Sequence, residues 1–320
     1  MTVPSAAPAV VALGGGHGLY ASLSALRLMS DRLTAVVTVA DDGGSSGRLR
    51  DELEVLPPGD LRMALAALCD DSDWGRTWSG LLQHRFVSAG SLDNHAMGNL
   101  MIVALWELLG DTVEGLDWVG RLLGARGRVL PMASVPLVVE ADVQGGGSDG
   151  SPTTVVGQSR VAVTDARIEQ LRLVPADPPA CPEAVAAVRD ADWIVLGPGS
   201  WYSSVLVHLL VPELARALHE TDAKVCVTLN LSAERGETQG LTATDHLAAL
   251  HKHAPGLRVD AVLADPSAVE DVSELAAAAN GMGARLLMRQ VRRGDGTAQH
   301  DALRLAAAYR DVFEGVYGDV

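Results

Sequence analysis

VALGGGHGLY, at residues 11–20, decides how the rest of the chain is read. An apolar run leads straight into four glycines within five positions, and a helical pattern, ASLSALRLMS, follows at 21–30. A strand over 8–14, a glycine turn and a helix make the opening of a βαβ unit. The spacing Gly16-x-Gly18-x-x-Ala21 matches the relaxed dinucleotide fingerprint, with alanine in its third place. Glycine has two uses here: a tight turn, or a backbone that a phosphate can approach at a helix N-terminus. Gly15, Gly16, His17 and Gly18 are therefore candidate ligand contacts, with His17 a potential donor to phosphate.

Outward from this turn, apolar runs alternate with helical patterns. Strands are expected at 34–40, 193–197, 224–230, 257–264 and 284–289. Helices are expected near 61–70, 97–109, 111–123, 203–219, 243–253, 267–280 and 299–314. This alternation predicts an α/β fold with a mostly parallel sheet covered on both faces. VLPMASVPLVVEADV (129–143), TTVVGQSRVAV (153–163) and ARIEQLRLV (166–174) break the rhythm. Successive short strands pair antiparallel, so a β-rich insertion is expected at about 129–174. A loop is expected at 144–152 and a second at 175–183. No repeat or linker divides the chain, which is read as one domain over 1–320.

The composition narrows the function. The chain has 320 residues, 48% of them hydrophobic and only 4% aromatic, so aliphatic packing dominates the core. A formal charge of −15 argues against a nucleic-acid or anionic-membrane surface. Cys69, Cys181 and Cys226 lie far apart, without the spacing of a zinc site or a disulfide framework, and are expected to be buried thiols. No basic residue precedes Arg27, and no apolar run approaches the ~20 residues that span a bilayer. A soluble cytoplasmic protein without membrane insertion is expected.

Further candidates follow the other strands. In VADDGGSSGRLRDE (39–52), Asp41 stands where a dinucleotide fold places its ribose-binding acid. Asp41, Asp42, Gly43, Gly44, Ser45 and Ser46 together suit a metal–phosphate or sugar site, with Arg48 and Arg50 as phosphate partners. PPGDLR (57–62) starts a helix, with Asp60 either its N-cap or a ligand contact. Arg62 in a first turn opposes the helix dipole and should face an anion. LDNHAMGNL (92–100) offers His95 and Asn99, with Asn94 a simple cap. LGPGSWYSSV (196–205) is another strand-to-helix turn: Gly197, Pro198, Gly199, Ser200 and Ser203 could cradle an anion. Asn230 ends a strand and is a further candidate. After it, Glu237, Thr238, Asp245 and His246 are polar candidates, and Thr244 is read as a helix cap. Turns after three strands of one parallel sheet meet at its carboxyl edge, where open α/β folds bind ligands.

Taken in order, GGGHGL, TVADDGGSSGRLR, PPGDLR, HAMGNL, GRVLP, LGPGSWYSSVL and GETQGLTATDHL resemble the gluconeogenesis factor family, also called YvcK-like proteins. The resemblance runs to about residue 265 and is nearest the actinobacterial branch. The family is related to the CofD enzyme, 2-phospho-L-lactate transferase, and the resemblance implies its Rossmann-like three-layer fold. It also implies a cytoplasmic protein that binds UDP-sugars, notably UDP-N-acetylglucosamine, and supports cell shape and wall synthesis on gluconeogenic carbon sources. His17, Met63 and Asn94 depart from the commonest family pattern. The glycine loop, loop 41–46, Asn99 and the turn 197–200 carry over as expected ligand contacts.

Three functions stay open on these residues. One is a UDP-sugar sensor or regulator, with regulatory protein partners and room for self-association. Another is a Mg²⁺-dependent phosphotransferase, with Asp41 or Asp42 at its centre and Arg48 or Arg62 stabilising transferred charge. Last is a nicotinamide oxidoreductase, resting on the Gly16–Gly18–Ala21 spacing alone. The sequence shows no resident metal site and names no cofactor; a UDP-sugar is the expected ligand, and Mg²⁺ belongs to the transferase alternative.

Overall fold

The computed structural model describes residues 7–145, 151–232 and 236–317. In chain order its elements begin β1 (Val10–Gly14), α1 (Gly16–Leu26), β2 (Leu33–Val37), α2 (Gly44–Leu53), α3 (Gly59–Leu68) and α4 (Asp73–Gln83). Then come α5 (Met97–Leu109), α6 (Thr112–Leu123), β3 (Arg128–Pro131), β4 (Val138–Gln144), β5 (Thr153–Val156), α7 (Gln158–Ala162) and β6 (Arg167–Val174). The last part holds α8 (Pro182–Arg189), β7 (Trp193–Leu196), α9 (Pro212–Glu220), β8 (Lys224–Thr228), α10 (Ala243–His253), β9 (Ala261–Ala264), α11 (Val272–Gly281), β10 (Arg285–Met288) and α12 (Ala302–Glu314).

Seven strands form one sheet in the order β10-β9-β8-β7-β1-β2-β3, every neighbouring pair parallel. β1 is the hinge of this order. It pairs with β2 on one side (Val10 opposite Leu33) and with β7 on the other (Val10 opposite Trp193). Every residue of β1, β7 and β9 is buried, as expected when helices cover both faces. α1 lies between α3 and α12, and α8 packs beside α9. Ser22 of α1 donates to the Gly197 carbonyl (3.0 Å), and Tyr309 of α12 bridges Ser22 (2.9 Å) to Thr228 (3.1 Å). The first and last helices are thereby tied to the ends of β7 and β8. The three cysteines are free and buried, as expected.

The antiparallel insertion is present as a sheet in the order β5-β4-β6, but its boundaries differ from the sequence reading. Residues 129–143 are not one strand. Arg128–Pro131 joins the main sheet beside β2, and Val138–Gln144 starts the small one. Residues 153–163 also divide, because Gly157 (φ 101°) turns the chain into α7. The helix expected at 203–219 is interrupted at Val211, which is extended (ψ 110°) because Pro212 follows it. α2, α4 and α8 have no counterpart among the helices expected from sequence. α4 is capped by Ser72, which accepts from the Gly75 N–H. The N-cap of α3 is Pro58 rather than Asp60, and that of α10 is Thr242 rather than Thr244, in a capping box with Asp245. Most of the loop read at 144–152, and part of the segment after Asn230, lie outside the described residues, as does the start of the chain. Among the described residues no helix is long and apolar enough to cross a membrane.

Candidate functional site

The hinge between β1 and β7 puts two glycine turns against each other at the carboxyl edge of the sheet. A Cβ on Gly18 would stand 2.1 Å from the Pro198 carbonyl oxygen and 2.4 Å from Gly199 Cα. A Cβ on Gly15 would stand 2.5 Å from Asp60 Oδ2 and 2.6 Å from Thr38 Cγ2. These two glycines are therefore required by the protein's own close packing. Gly16 differs: it begins α1 with φ 54° and nothing within 4 Å of its Cβ direction, so this backbone lies open to a ligand.

The next loop gathers charge. Asp41 Oδ1 accepts the Gly43 N–H at 3.0 Å, and its carboxylate also takes the Ser46 hydroxyl. Asp42 turns away to the insertion, where its Oδ1 accepts the Ser159 N–H at 2.9 Å in the first turn of α7. Gly44 (φ 51°) opens α2. The carboxylate brought to Asp41 is that of Asp60, in the first turn of α3, which accepts the Gly16 N–H. Burial, helped by the charge of the neighbouring Asp42, raises the pKa of Asp41, against the opposing pull of the Gly43 N–H, Ser46 and Arg62. Burial, then the nearby Asp41, pushes Asp60 up to about 7. Two carboxylates in one poorly hydrated place carry more negative charge than the protein neutralises.

Arg62 is the local cation. Burial and the neighbouring Arg85 lower its pKa to about 10, while Asp60 and Asp41 oppose this. Its guanidinium donates to Asn99 Oδ1 (2.9 Å) and to Gln83 Oε1. Ser45, His95 and Asn99 continue this contact as a buried polar chain behind the loop. Asn94 does not cap α5, whose N-cap is Ala96; it is exposed and left-handed, with φ 59°.

On the far side, Asn230 clamps the second glycine turn: its Oδ1 accepts the Gly199 N–H and its Nδ2 donates to the Gly199 carbonyl, both at 2.9 Å. The Gly197–Pro198 peptide is cis. Ser200 precedes a π-helical turn over Trp201–Val205. The anion expected at that turn is supplied from within. Glu237 is 4% exposed and accepts the N–H groups of Tyr202 (3.0 Å) and Ser203 (3.1 Å). The backbone of Ser203 is therefore not available as a ligand cradle.

A cleft of about 340 Å³ opens beside these turns, lined by His17, Gly18, Pro198, Gly199 and Asn230. Its other wall is Arg293, Gln299, His300 and Ala302, from the loop between β10 and α12 and the start of that helix. Burial holds His300 at a pKa of about 4, so this wall is neutral at that position near pH 7. The sequence reading missed this wall. The signal was there: RRGDGTAQH repeats the pattern of an apolar strand, a glycine-bearing polar loop and a helix. Among the described residues no group of three or more His, Cys, Asp or Glu side chains is arranged to hold a metal ion.

Comparison with known proteins agrees with this geometry. Residues 10–291 match the family described as 2-phospho-L-lactate transferase CofD. A protein of Mycobacterium tuberculosis named putative gluconeogenesis factor is 51% identical over 311 residues, covering 96% of this chain and 90% of its own. The gluconeogenesis factor of Bacillus subtilis is 38% identical over 264 residues, 82% of this chain and 80% of its own. A crystal structure of a UPF0052 family protein from Bacillus halodurans superposes with a TM-score of 0.83 at 34% identity, covering 93% of this chain and 97% of that one. The likeness thus reaches well past residue 265, through β10 and its following loop.

Proposed function

The chain belongs to the CofD family, among its gluconeogenesis factors, and from that premise we propose that it is a nucleotide-sugar-binding regulator whose ligand is UDP-N-acetylglucosamine. The observation that carries this reading is the meeting of the Gly15–Gly18 turn with Pro198 and Gly199 at the β1–β7 hinge, beside a cleft walled by His17, Asn230 and Arg293. The Gly16 and Gly199 N–H groups serve Asp60 and Asn230, but those of His17 and Gly18, at the start of α1, have no acceptor within the helix and suit a diphosphate. A cleft walled by side chains rich in donors and acceptors suits a sugar or base. The physiological role in this reading is cytoplasmic control of wall-precursor supply, and so of cell shape, during growth on gluconeogenic carbon. Protein partners and self-association belong to the same reading.

The Asp41–Asp60 pair favours a second reading, a Mg²⁺-dependent phosphotransferase like the family's named enzyme. Mg²⁺ commonly takes one or two carboxylates and completes its shell with phosphate oxygens and water. Asp41 and Asp60 fit that role, and a cation there would offset the burial that raises both pKa values. Asp42, held at Ser159, is the less suited partner. Such a cation would neutralise a diphosphate during transfer.

Calorimetric titration with UDP-N-acetylglucosamine, with and without Mg²⁺, followed by product analysis, separates the readings. Binding with the ligand recovered intact supports the regulator. Loss of the diphosphate linkage supports the transferase. No heat of binding in either condition overturns the ligand assignment.

A further inference from the structure

Arg62, Asn99, Ser45 and His95 form a chain of polar side chains that are 4%, 1%, 3% and 6% exposed. Each link has only one workable direction. A guanidinium only donates, so Asn99 must turn Oδ1 toward Arg62 Nε, 2.9 Å away. The Asn99 Nδ2 then donates to Ser45 Oγ at 3.0 Å. Ser45 Oγ also accepts the Ala96 N–H at 3.3 Å. Both lone pairs of the hydroxyl are thus used, and its single proton goes to His95 Nδ1, 3.0 Å away. Nδ1 is therefore the bare nitrogen, and the ring proton sits on Nε2. An imidazolium would set an Nδ1–H against a hydroxyl with no lone pair left. Burial, Arg48 and Arg85 also disfavour the charged ring, with only Glu52 opposing. Among the described residues, His95 Nε2 neither has a protein hydrogen-bond partner nor is sealed from solvent.

We propose that this four-residue relay, anchored on Ser45 of the Asp41–Ser46 loop, presents His95 to the ligand as a fixed Nε2–H donor, hydrogen-bonding an oxygen of the bound nucleotide sugar and unable to take a proton at that nitrogen. The ligand's identity rests on the UDP-sugar reading; the tautomer does not. A ring locked this way cannot take a proton at Nε2 from an accepting hydroxyl of the ligand, so a transferase in this fold would need another base at that hydroxyl.

Two measurements test the proposal separately. In the free protein labelled with ¹⁵N-histidine, long-range ¹H–¹⁵N spectra at neutral pH should show His95 with a bare Nδ1 and a protonated Nε2. Asn99→Asp should invert this. A carboxylate cannot donate to Ser45, so the hydroxyl turns its proton to the new carboxylate, and the freed lone pair draws the ring proton onto Nδ1. Ser45→Ala, which removes the intermediary, should give a mixture of both tautomers. A wild-type proton on Nδ1, an imidazolium, or a tautomer unmoved in folded Asn99→Asp and Ser45→Ala overturns the relay. For the ligand contact, UDP-N-acetylglucosamine titrations should rank His95→Gln, whose amide nitrogen reaches the Nε2 position, about tenfold tighter than His95→Asn, the worth of one hydrogen bond. Equal affinities for the two folded variants overturn the donor role. If the wild-type protein does not bind this sugar, the donor's ligand assignment falls with the parent reading, while the spectra still decide the relay.

Discussion

The hydroxyl of Tyr309, on the last helix, lies 2.9 Å from that of Ser22 on the first, and both side chains are fully buried. Ser22 gives its proton to the Gly197 carbonyl, so Tyr309 must donate to Ser22 and accept from Thr228. The C-terminal helix is thus bonded to the turn that forms one side of the cleft. Tyr309→Phe keeps the ring and removes the bridge. It should lower stability by about 1–3 kcal/mol, read as a shifted urea midpoint with unchanged slope. An unchanged midpoint would mean the bridge contributes nothing net.

The contact of Gly18 with Pro198 is backbone on backbone and cannot yield by a rotamer change. Gly18→Ala should cost about 1–3 kcal/mol and weaken UDP-N-acetylglucosamine binding by parting the two turns. Gly80, in α4, has open space where its Cβ would go, so Gly80→Ala should instead gain about 0.5–1 kcal/mol. Finding the same sign for both would contradict the packing argument.

Asp60 has a folded pKa of about 7 against an ordinary 3.8, so the folded state holds a proton that the unfolded state has released. Stability from this group is intact below pH 3.8 and declines as pH rises toward 7, then levels off. Asp60→Asn should remove that decline and raise the melting temperature at neutral pH. A variant curve parallel to the wild type across this window would show that the group is not perturbed.

His208 runs the other way. It is fully buried, with Nε2 3.1 Å from the Val36 carbonyl oxygen, and burial lowers its pKa to about 4 from 6.5. Its contribution is present above 6.5 and is lost as pH falls toward 4. Acid denaturation should therefore begin below pH 6.5 and move to lower pH in a His208→Gln protein. An identical acid midpoint in the two proteins would remove His208 from the acid response.

Glu237 serves two N–H groups of the Trp201–Val205 turn at once. Glu237→Ala should cost about 2–3 kcal/mol, since charged hydrogen bonds are lost and buried donors are left over. Glu237→Gln keeps one acceptor oxygen and should recover part of that loss in the same denaturation experiment. Equal stability of the two variants would rule out the capping role.

The central strands β1, β7 and β9 could be read because each is a short apolar run buried on both faces, and α5 and α10 begin and end where the sequence reading placed them. α2 could not be. GSSGRLRDEL lacks an apolar stripe, and this helix is held by contacts of its first turn with His95 and Asn99. The glycine turns were legible for the same reason as the strands they follow. What those turns touch was not. Gly18 needs Pro198, Asp42 needs Ser159 and Tyr202 needs Glu237, and no local pattern announces partners so far along the chain.

The sheet order carries a consequence for engineering. β1 and β7 are adjacent in space but belong to different halves of the chain. Gly16, Asp41 and Asp60 come from the first half; Gly199, Asn230 and Arg293 come from the second. Two polypeptides divided ahead of β7 would each carry an incomplete ligand surface, and a nucleotide bridging them would favour their reunion. On the nucleotide-sugar reading, the same layout would serve as a split reporter, with the association of two fragments as the signal of ligand concentration.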